Sequence, residues 1–260
     1  MIYKVPTRHE ELTLLIKVHT FKPETIRLKV TDADQPNTAF TDRYKTVDGE
    51  SIFFVRMPVS PKTALIYVYN EDLGNMTTGQ DKSFEVDSIS KEMLEKKLDV
   101  IDFGNPLVRS FVNFCTRFCY NAGSLSSGTY VSDDKKFVIK YLATIEDNGQ
   151  EQTTPARIEL NTGVIEVSKK QFVNFTIPNR MAILLHEFSH VYLNDNQDDE
   201  VEADLNGLLI YLGLGYPRIE AFEVFASTFM NAPTDQNKMR FDKIKNFIDN
   251  FENHNTYMYE

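Results

Sequence analysis

The chain has 260 residues, with 38 acidic and 28 basic side chains and a formal net charge of −10 at pH 7. At roughly 150 residues per domain this length predicts one or two domains, and the 42% hydrophobic and 25% charged content is typical of globular proteins. The acidic balance argues against non-specific binding to nucleic acid or to an anionic membrane surface.

The sequence has no apolar segment of the kind that carries a chain into a membrane. Its apolar runs fall short of the roughly 18 residues needed to span a bilayer. Lys4 and Pro6 stand where a signal peptide has its apolar segment. We therefore expect no membrane partner, no secretion by a signal peptide, and a location in the cytoplasm or in a virion.

Residues 1–85 carry short apolar runs with β-branched residues and no helical period. Four of these runs are typical of β-strands: residues 12–18, 25–30, 51–57 and 64–69. Clusters of Asp, Asn, Gly and Pro separate the runs and indicate turns. The pattern predicts a small antiparallel β-sandwich. We interpret this domain as an accessory or docking domain, because none of its residues forms a chemical motif.

A second domain is expected from residue 91 to residue 260. The polar residues 75–90 are interpreted as a linker, and residues 91–98 as a short charged helix. A longer helix begins at Asn105, a residue type that caps helix N-termini, and Pro106 occupies its first position.

Cys115 and Cys119 lie four residues apart on one face of this longer helix, and they are the two cysteines of the chain. No second pair of Cys or His lies near them in the sequence to complete a zinc site. We interpret them as reduced thiols in a hydrophobic core.

The remainder of the second domain predicts a small sheet followed by helices. Three strands are expected at residues 136–144, 156–160 and 164–168, the last two forming a hairpin. Beyond Pro178 the apolar spacing is helical, with helices at about residues 179–193, 199–212, from 217 onward, and 234–251. The predicted fold class is therefore α+β.

The segment His186-Glu187-Phe188-Ser189-His190 is an HExxH sequence within the first of these helices. Residues four apart share a helix face, so both imidazoles can reach one metal ion. Glu187 is then placed to take a proton from a metal-bound water, as zinc hydrolysis requires. The flanking residues are apolar almost all round, and burying these polar groups is unfavourable unless something binds them. The alternative is a core helix whose histidines are only hydrogen-bonded.

A third ligand must come from the acidic stretch that follows. Glu200 and Asp204 lie four apart on one face of the next helix, so Glu200 can complete the site while Asp204 accepts a ring N–H from a ligand histidine. Glu202 is about 200° around the helix from Glu200, so both cannot face the metal. We expect Glu202 to form a capping box with Asp199. Gly207 extends the face of Glu200 and permits close helix packing.

The combined pattern of HExxH followed by Glu-x-x-x-Asp resembles that of the gluzincin metallopeptidases. This group includes thermolysin-like enzymes and short-spacing peptidase domains of bacteria and their phages. The likeness in motif covers residues 183–204, and the likeness in layout covers about residues 105–250. A zincin-like second domain is what this resemblance implies.

The resemblance also implies a role for each residue of the pattern. Zn²⁺ is bound by His186, His190 and Glu200, Glu187 is the general base, and Asp204 supports a ligand. An edge strand at residues 164–168 would pair with an extended substrate. The expected His or Tyr that stabilises the oxyanion is not evident, and Tyr211, seven residues after Asp204, is the candidate.

Two other metal-binding patterns are excluded. A metzincin requires a glycine at position 193 and a histidine at position 196, where this chain has Leu193 and Asn196. An EF-hand loop starting at Asn194 requires a glycine at its sixth position and a glutamate at its twelfth, where this chain has Asp199 and Leu205.

Two functional hypotheses of different class stay open. The first is a zinc-dependent metallopeptidase that acts on a peptide or protein substrate. The second is a structural or assembly subunit, for example of a phage virion, that retains a metallopeptidase-like fold and binds protein partners or copies of itself. An intact Glu187 favours the first, because this residue has no evident structural use.

Overall fold

The computed structural model describes residues 1–71, 83–97, 104–231 and 234–253. The chain forms two compact units, Met1–Glu95 and Lys96–Glu260. The sequence places the two domains at residues 1–85 and 91–260, so the structural division falls slightly later along the chain. Within the described residues, no helix is long and apolar enough to cross a membrane.

The first unit is an antiparallel sheet. Its strands are β1 (Ile2–Pro6), β2 (Leu12–Asp32), β3 (Ala39–Met57), β4 (Thr63–Asn70) and β5 (Phe84–Met93). The order across the sheet is β1-β4-β2-β3, and β5 also pairs with β2. The sandwich prediction expects two sheets, whereas the described strands of this unit form one. The predicted antiparallel β structure itself is confirmed.

The long strand β2 joins what the sequence presents as two strands. Its alternate side chains are buried on both sides of a register shift between Thr20 and Glu24. Before the shift β2 pairs with β5, and after it β2 pairs with β4. Gly49 lies opposite Thr20 with φ +75°, so the turn expected at Asp48-Gly49 is instead an irregularity within β3. Pro23 has no N–H to donate and lies between the two stretches of alternating burial, so the sequence indicates a break between two strands at this point.

Strand β5 corrects two predictions. Residues 84–93 are strand, whereas the sequence indicates a linker up to residue 90 and a helix from residue 91. Most side chains of β5 are exposed, so no apolar period marks it, and it is held by backbone pairing with β2. Residues 94–97 follow without regular structure. The rest of the predicted linker before residue 83, and residue 98 of the predicted helix, lie outside the described residues.

The second unit contains helices, a four-stranded sheet and a two-stranded sheet. In chain order its elements are α1 (Pro106–Asn121), β6 (Gly128–Val131), β7 (Val138–Leu142), β8 (Glu146–Asp147), β9 (Gln150–Glu151), β10 (Ala156–Glu159), β11 (Val164–Ser168), α2 (Lys169–Phe172), α3 (Ile177–Tyr192), α4 (Glu200–Gly213), α5 (Arg218–Asn231) and α6 (Asp235–Asn253). The described architecture is α+β, as predicted.

Helix α1 begins and packs as the sequence predicts. The side chain of Asn105 accepts a hydrogen bond from the backbone N–H of Leu107 at 2.9 Å. Cys115 and Cys119 are free, buried thiols with sulfur atoms 3.9 Å apart. Both side chains belong to the buried core, and the Cys115 sulfur lies 3.5 Å from that of Met181 of α3. Burial raises the pKa of the Cys115 thiol well above its usual value.

The main sheet of this unit has the order β10-β11-β7-β6, with β11 parallel to β7. The expected hairpin of β10 and β11 is confirmed. However, β11 (Val164–Ser168) lies between two strands and is not the edge strand that the resemblance implies. The edge strand is β10, because β11 pairs with β10 on one side and with β7 on the other.

Candidate metal centre

Helix α3 carries both histidines and is the central element of its unit. It contacts α1, α4, α5 and β10, and its apolar residues are buried almost all round, as predicted. The side chain of Thr176 caps it by accepting a hydrogen bond from the backbone N–H of Asn179 at 3.3 Å. His186 and His190 are one turn apart, and their rings are perpendicular, with centroids separated by 4.7 Å.

Acceptor oxygens beside the two Nδ1 atoms indicate how the imidazoles are used. His190 Nδ1 lies 2.7 Å from the carbonyl oxygen of Gln197, which can only accept, so Nδ1 carries the hydrogen. His186 Nδ1 lies 2.9 Å from Asp204 Oδ1, another acceptor. The two Nε2 atoms are therefore left with lone pairs that point at each other across 3.1 Å. Either a proton on one of them or a metal ion relieves this repulsion.

Glu200 brings a carboxylate to the same point. Its Oε2 is 3.5 Å from His186 Nε2, and its Oε1 is 3.8 Å from His190 Nε2. Ligands at about 2.0–2.1 Å from a tetrahedral zinc ion lie about 3.3 Å apart. The three side chains thus form a group that could hold a metal ion, and their imidazole and carboxylate donors are the types that zinc takes.

Close packing of α4 on α3 places Glu200 at this distance. A Cβ atom added at Gly207 would lie 2.9 Å from the backbone nitrogen of His186 and 2.9 Å from the carbonyl carbon of Leu185. Real Cβ atoms essentially never approach backbone so closely. The prediction that Gly207 permits the two helices to approach is confirmed.

The start of α4 differs in one detail from the predicted capping box. Asp199 is the N-cap and accepts hydrogen bonds from the backbone N–H groups of Val201 and Glu202 at 2.9 and 3.0 Å. Glu202 does not return the bond to Asp199. Its carboxylate instead accepts from the backbone N–H groups of Asp195 and Asn196 at 3.0 and 3.3 Å, because these earlier loop residues present free donors to it.

Asp204 is buried beneath the histidines, with 1% of its side chain exposed. Besides His186 it accepts two hydrogen bonds from Arg240, at 2.7 Å from Nε and 2.9 Å from Nη2. Burial alone would raise the pKa of the Asp204 carboxyl, but the hydrogen bonds from His186 and Arg240 hold it below its usual value. An ionised Asp204 therefore orients the His186 ring.

Arg240 is the residue that sequence reasoning missed. It lies on α6, and its Nη2 is also 3.0 Å from Glu200 Oε2. One signal was available, because Arg240 stands four residues before Ile244 and seven before Phe247. It thus falls on the buried apolar face of α6, where a cation requires a partner.

Glu187 lies in the same cleft as the two histidines. Burial raises the pKa of its carboxyl above the usual value, and the positive charge that His186 and His190 can carry opposes this. A backbone hydrogen bond from Ile158 of β10 also touches the carboxylate. Glu187 of α3 is thus connected to the edge strand β10 by this hydrogen bond.

Tyr211 is not placed where an oxyanion could meet it. Its ring is fully buried, and its hydroxyl donates a hydrogen bond to the carbonyl oxygen of Pro217 at 2.9 Å. It stacks on Tyr216, with ring centroids 5.0 Å apart, and does not line the cleft. The prediction for Tyr211 is wrong, because its face of α4 is covered by the turn into α5.

The cleft has a volume of about 410 Å³. The edge strand β10 and the residues before it line one side, and α3, α4, α5 and α6 line the rest. Apolar side chains from both sides, including Ile158, Ile183 and Phe225, lie next to the histidines. The metal group therefore opens into a groove with a free strand edge and an apolar lining.

A second group with the composition of a metal site occurs in the first unit. It consists of His19, Glu50 and Asp87 on the exposed side of the sheet. The ammonium of Lys17 lies 2.9 Å from Glu50 and 3.8 Å from Asp87. A resident cation therefore already neutralises these carboxylates, and the group in the second unit is the stronger candidate.

Comparisons of the chain with protein-family models, with curated proteins and with solved structures find no match.

Proposed function

We propose that the second unit is a zinc-dependent peptidase, in which His186, His190 and Glu200 hold the ion and Glu187 is the general base. The observation that carries the proposal is the convergence of two imidazole Nε2 atoms and a carboxylate on one point. The carboxylate that hydrolysis needs in addition to the ligands is that of Glu187, which lines the same cleft.

Zinc held by His186, His190 and Glu200 would lower the pKa of a water to about 7 and polarise a carbonyl group. The Glu187 carboxylate would accept a proton from that water and give it to the leaving amine as the peptide C–N bond breaks. Asp204 and the Gln197 carbonyl keep both Nδ1 atoms protonated, so each Nε2 stays available as a ligand.

An extended peptide is the substrate shape that this cleft favours. Strand β10 is an edge of the described sheet, and its residues line the cleft beside Glu187. A peptide could pair with those backbone groups of β10 that neither β11 nor Glu187 uses, which would bring its own carbonyl groups past the histidines. The proposed substrate edge is therefore Ala156–Glu159 in place of Val164–Ser168.

The test combines metal analysis with cleavage of a quenched-fluorescence peptide library. We expect one zinc per chain, lost in both His186→Ala and His190→Ala. Glu187→Gln should retain zinc and fold but lose hydrolysis by at least about 10²-fold, the contribution typical of general-base catalysis. Full zinc content in either histidine variant, or equal cleavage by wild type and Glu187→Gln, would overturn the proposal.

A structural or assembly subunit is the second candidate, and one observation favours it. Strand β3 is an outer strand along the whole described ladder with β2, and it carries Tyr44 and Phe54, which are 71% and 53% exposed. An apolar edge of this length is suited to pairing with another chain. If this is the function, Glu187→Gln should assemble as wild type does, while Tyr44→Lys should not.

A further inference from the structure

One guanidinium bridges the two acidic residues of α4 that face the histidines. Arg240 Nη2 lies 2.9 Å from Asp204 Oδ1 and 3.0 Å from Glu200 Oε2, and Nε lies 2.7 Å from Asp204 Oδ2. Only 12% of the Arg240 side chain is exposed. Charge-assisted hydrogen bonds are stronger than neutral ones, and a forked guanidinium contact fixes the geometry of its partners.

Without this bridge the two carboxylates would repel each other. Glu200 and Asp204 are four residues apart on one helix face, where like charges are destabilising. Asp204 is buried and fixed, whereas the Glu200 side chain is 39% exposed. The contact with Arg240 therefore restrains how Glu200 presents its two oxygens.

The two oxygens of Glu200 are not equivalent in this arrangement. Both oxygens face the histidines, Oε2 at 3.5 Å from His186 Nε2 and Oε1 at 3.8 Å from His190 Nε2, but the bond from Arg240 falls on Oε2. An oxygen that accepts a bond from a guanidinium is a weaker metal donor than its free neighbour. A carboxylate held in this way offers one oxygen to a metal, and a coordination position stays open for water.

We propose that Arg240 is a positioning residue that makes Glu200 a one-oxygen ligand, so that the C-terminal helix α6 sets the coordination number of the metal site. This inference rests on the proposed binding of a metal by His186, His190 and Glu200. It adds a residue from outside both motifs, and it assigns to α6 a role that an HExxH…ExxxD pattern does not contain.

Cobalt(II) is the probe, because its visible absorption is more intense in four-coordinate than in five-coordinate sites. The experiment compares the cobalt-loaded full chain with Arg240→Met, Arg240→Lys and the control Arg157→Met. Arg157 also lines the cleft, but its partners are Asp147 and Glu166, which are outside the metal group. Metal affinity is measured in parallel by competition with a chromophoric chelator.

We expect an intense spectrum for wild type and for Arg157→Met. Arg240→Met frees Oε2, so its absorption should weaken toward that of a five-coordinate site, and its affinity should fall about 10–100-fold, as when a partner of a ligand is lost. Arg240→Lys should fall between the two, since one ammonium cannot reproduce the forked contact with both carboxylates. Circular dichroism and the melting temperature show whether each variant is folded. If Arg240→Met does not fold, the cobalt spectrum and affinity of Arg240→Lys provide the test.

The outcomes separate the inference from the proposed function. If wild type binds no cobalt, the metal site itself fails. If wild type binds cobalt and both Arg240 variants show the wild-type spectrum and affinity, Arg240 does not position Glu200 and this inference is overturned while the metal site stands. Equal losses in Arg240→Met and Arg157→Met would also overturn it, because the effect would then be general to the cleft.

Discussion

The α-carbon of Gly207 faces the backbone of His186 so closely that a methyl group has no room between them. A Cβ at this position would lie 2.9 Å from the His186 nitrogen and 3.0 Å from the Leu185 carbonyl oxygen. Backbone atoms cannot move aside as a flexible side-chain end can. The separation of α3 and α4, and with it the position of Glu200, therefore depends on this glycine.

Gly207→Ala should consequently weaken metal binding although Gly207 touches no metal. Alanine normally stabilises a helix interior by about 1 kcal/mol relative to glycine, but overpacking costs about 1–3 kcal/mol and pushes α4 outward. Zinc affinity is measured by chelator competition. Gly128→Ala is the control, because a Cβ at Gly128 meets nothing within 4 Å. Equal zinc affinity in the two variants would contradict the packing argument.

Glu200 and Glu202 should differ sharply when each is changed to alanine. Glu200→Ala removes the carboxylate nearest both Nε2 atoms, so most zinc affinity should be lost. Glu202→Ala removes two hydrogen bonds to loop N–H groups, which costs about 1 kcal/mol of stability and leaves zinc in place. Zinc titration and urea unfolding of both variants check this. Retention of zinc by the first and loss by the second would place the ligand two residues later.

Removal of the metal should lower the melting temperature of the chain. A ligand that binds only the folded state stabilises it by about 4 kcal/mol when present at 1,000 times its Kd. Calorimetry with zinc and then with a chelator measures the difference. His190→Ala should melt at one temperature under both conditions. A melting temperature of wild type that does not respond to zinc would refute a folded-state site.

The parts of the fold that local periodicity encodes were predictable. The caps at Asn105 and Asp199 follow from the preference of Asn and Asp for the N-cap, and the shared face of His186 and His190 follows from i to i+4 spacing. The structure confirms them. A capping side chain and a helix face need no knowledge of distant residues. Their prediction from one sequence is therefore secure.

The parts that depend on distant pairing were not predictable in the same way. Strand β5 is polar on most positions and exists because β2 offers it backbone partners. Strand β10 is an edge because β11 pairs in parallel with β7, a crossover that no local pattern records. Arg240 meets Asp204 across 36 positions of sequence. Such contacts form only in the tertiary fold. The HExxH…ExxxD pattern therefore identifies site residues on α3 and α4 but does not identify Arg240 on α6.

Tyr211→Phe should leave hydrolysis unchanged. The hydroxyl bonds the Pro217 carbonyl inside the core and points away from the cleft, so its removal leaves one buried acceptor unpaired. The expected loss is about 1–3 kcal/mol of stability, with kcat/KM on the library peptide equal to that of wild type. A lower kcat, with zinc content and stability equal to those of wild type, would show that Tyr211 takes part in hydrolysis.

Arg180 should prove one of the most sensitive positions for stability, although it lies outside the metal group. The guanidinium is fully buried and donates to the carbonyl oxygens of Cys119, Phe172 and Val173 at 2.8, 3.1 and 3.1 Å. Those carbonyls belong to the C-terminal ends of α1 and α2, where a cation is favoured by the helix dipoles.

Arg180→Met removes three hydrogen bonds to buried carbonyl oxygens, of which that of Phe172 still accepts from the N–H of Phe175, and should lower the free energy of unfolding by about 3 kcal/mol. Arg180→Lys should recover only part of this loss, because one ammonium cannot span both helix ends. Arg117→Met is the matched control. Its ion pair with Asp133 is exposed and is worth about 0–1 kcal/mol. Urea unfolding measures all three variants, and similar losses for Arg180→Met and Arg117→Met would show that the buried cation does not hold α1 and α2 together.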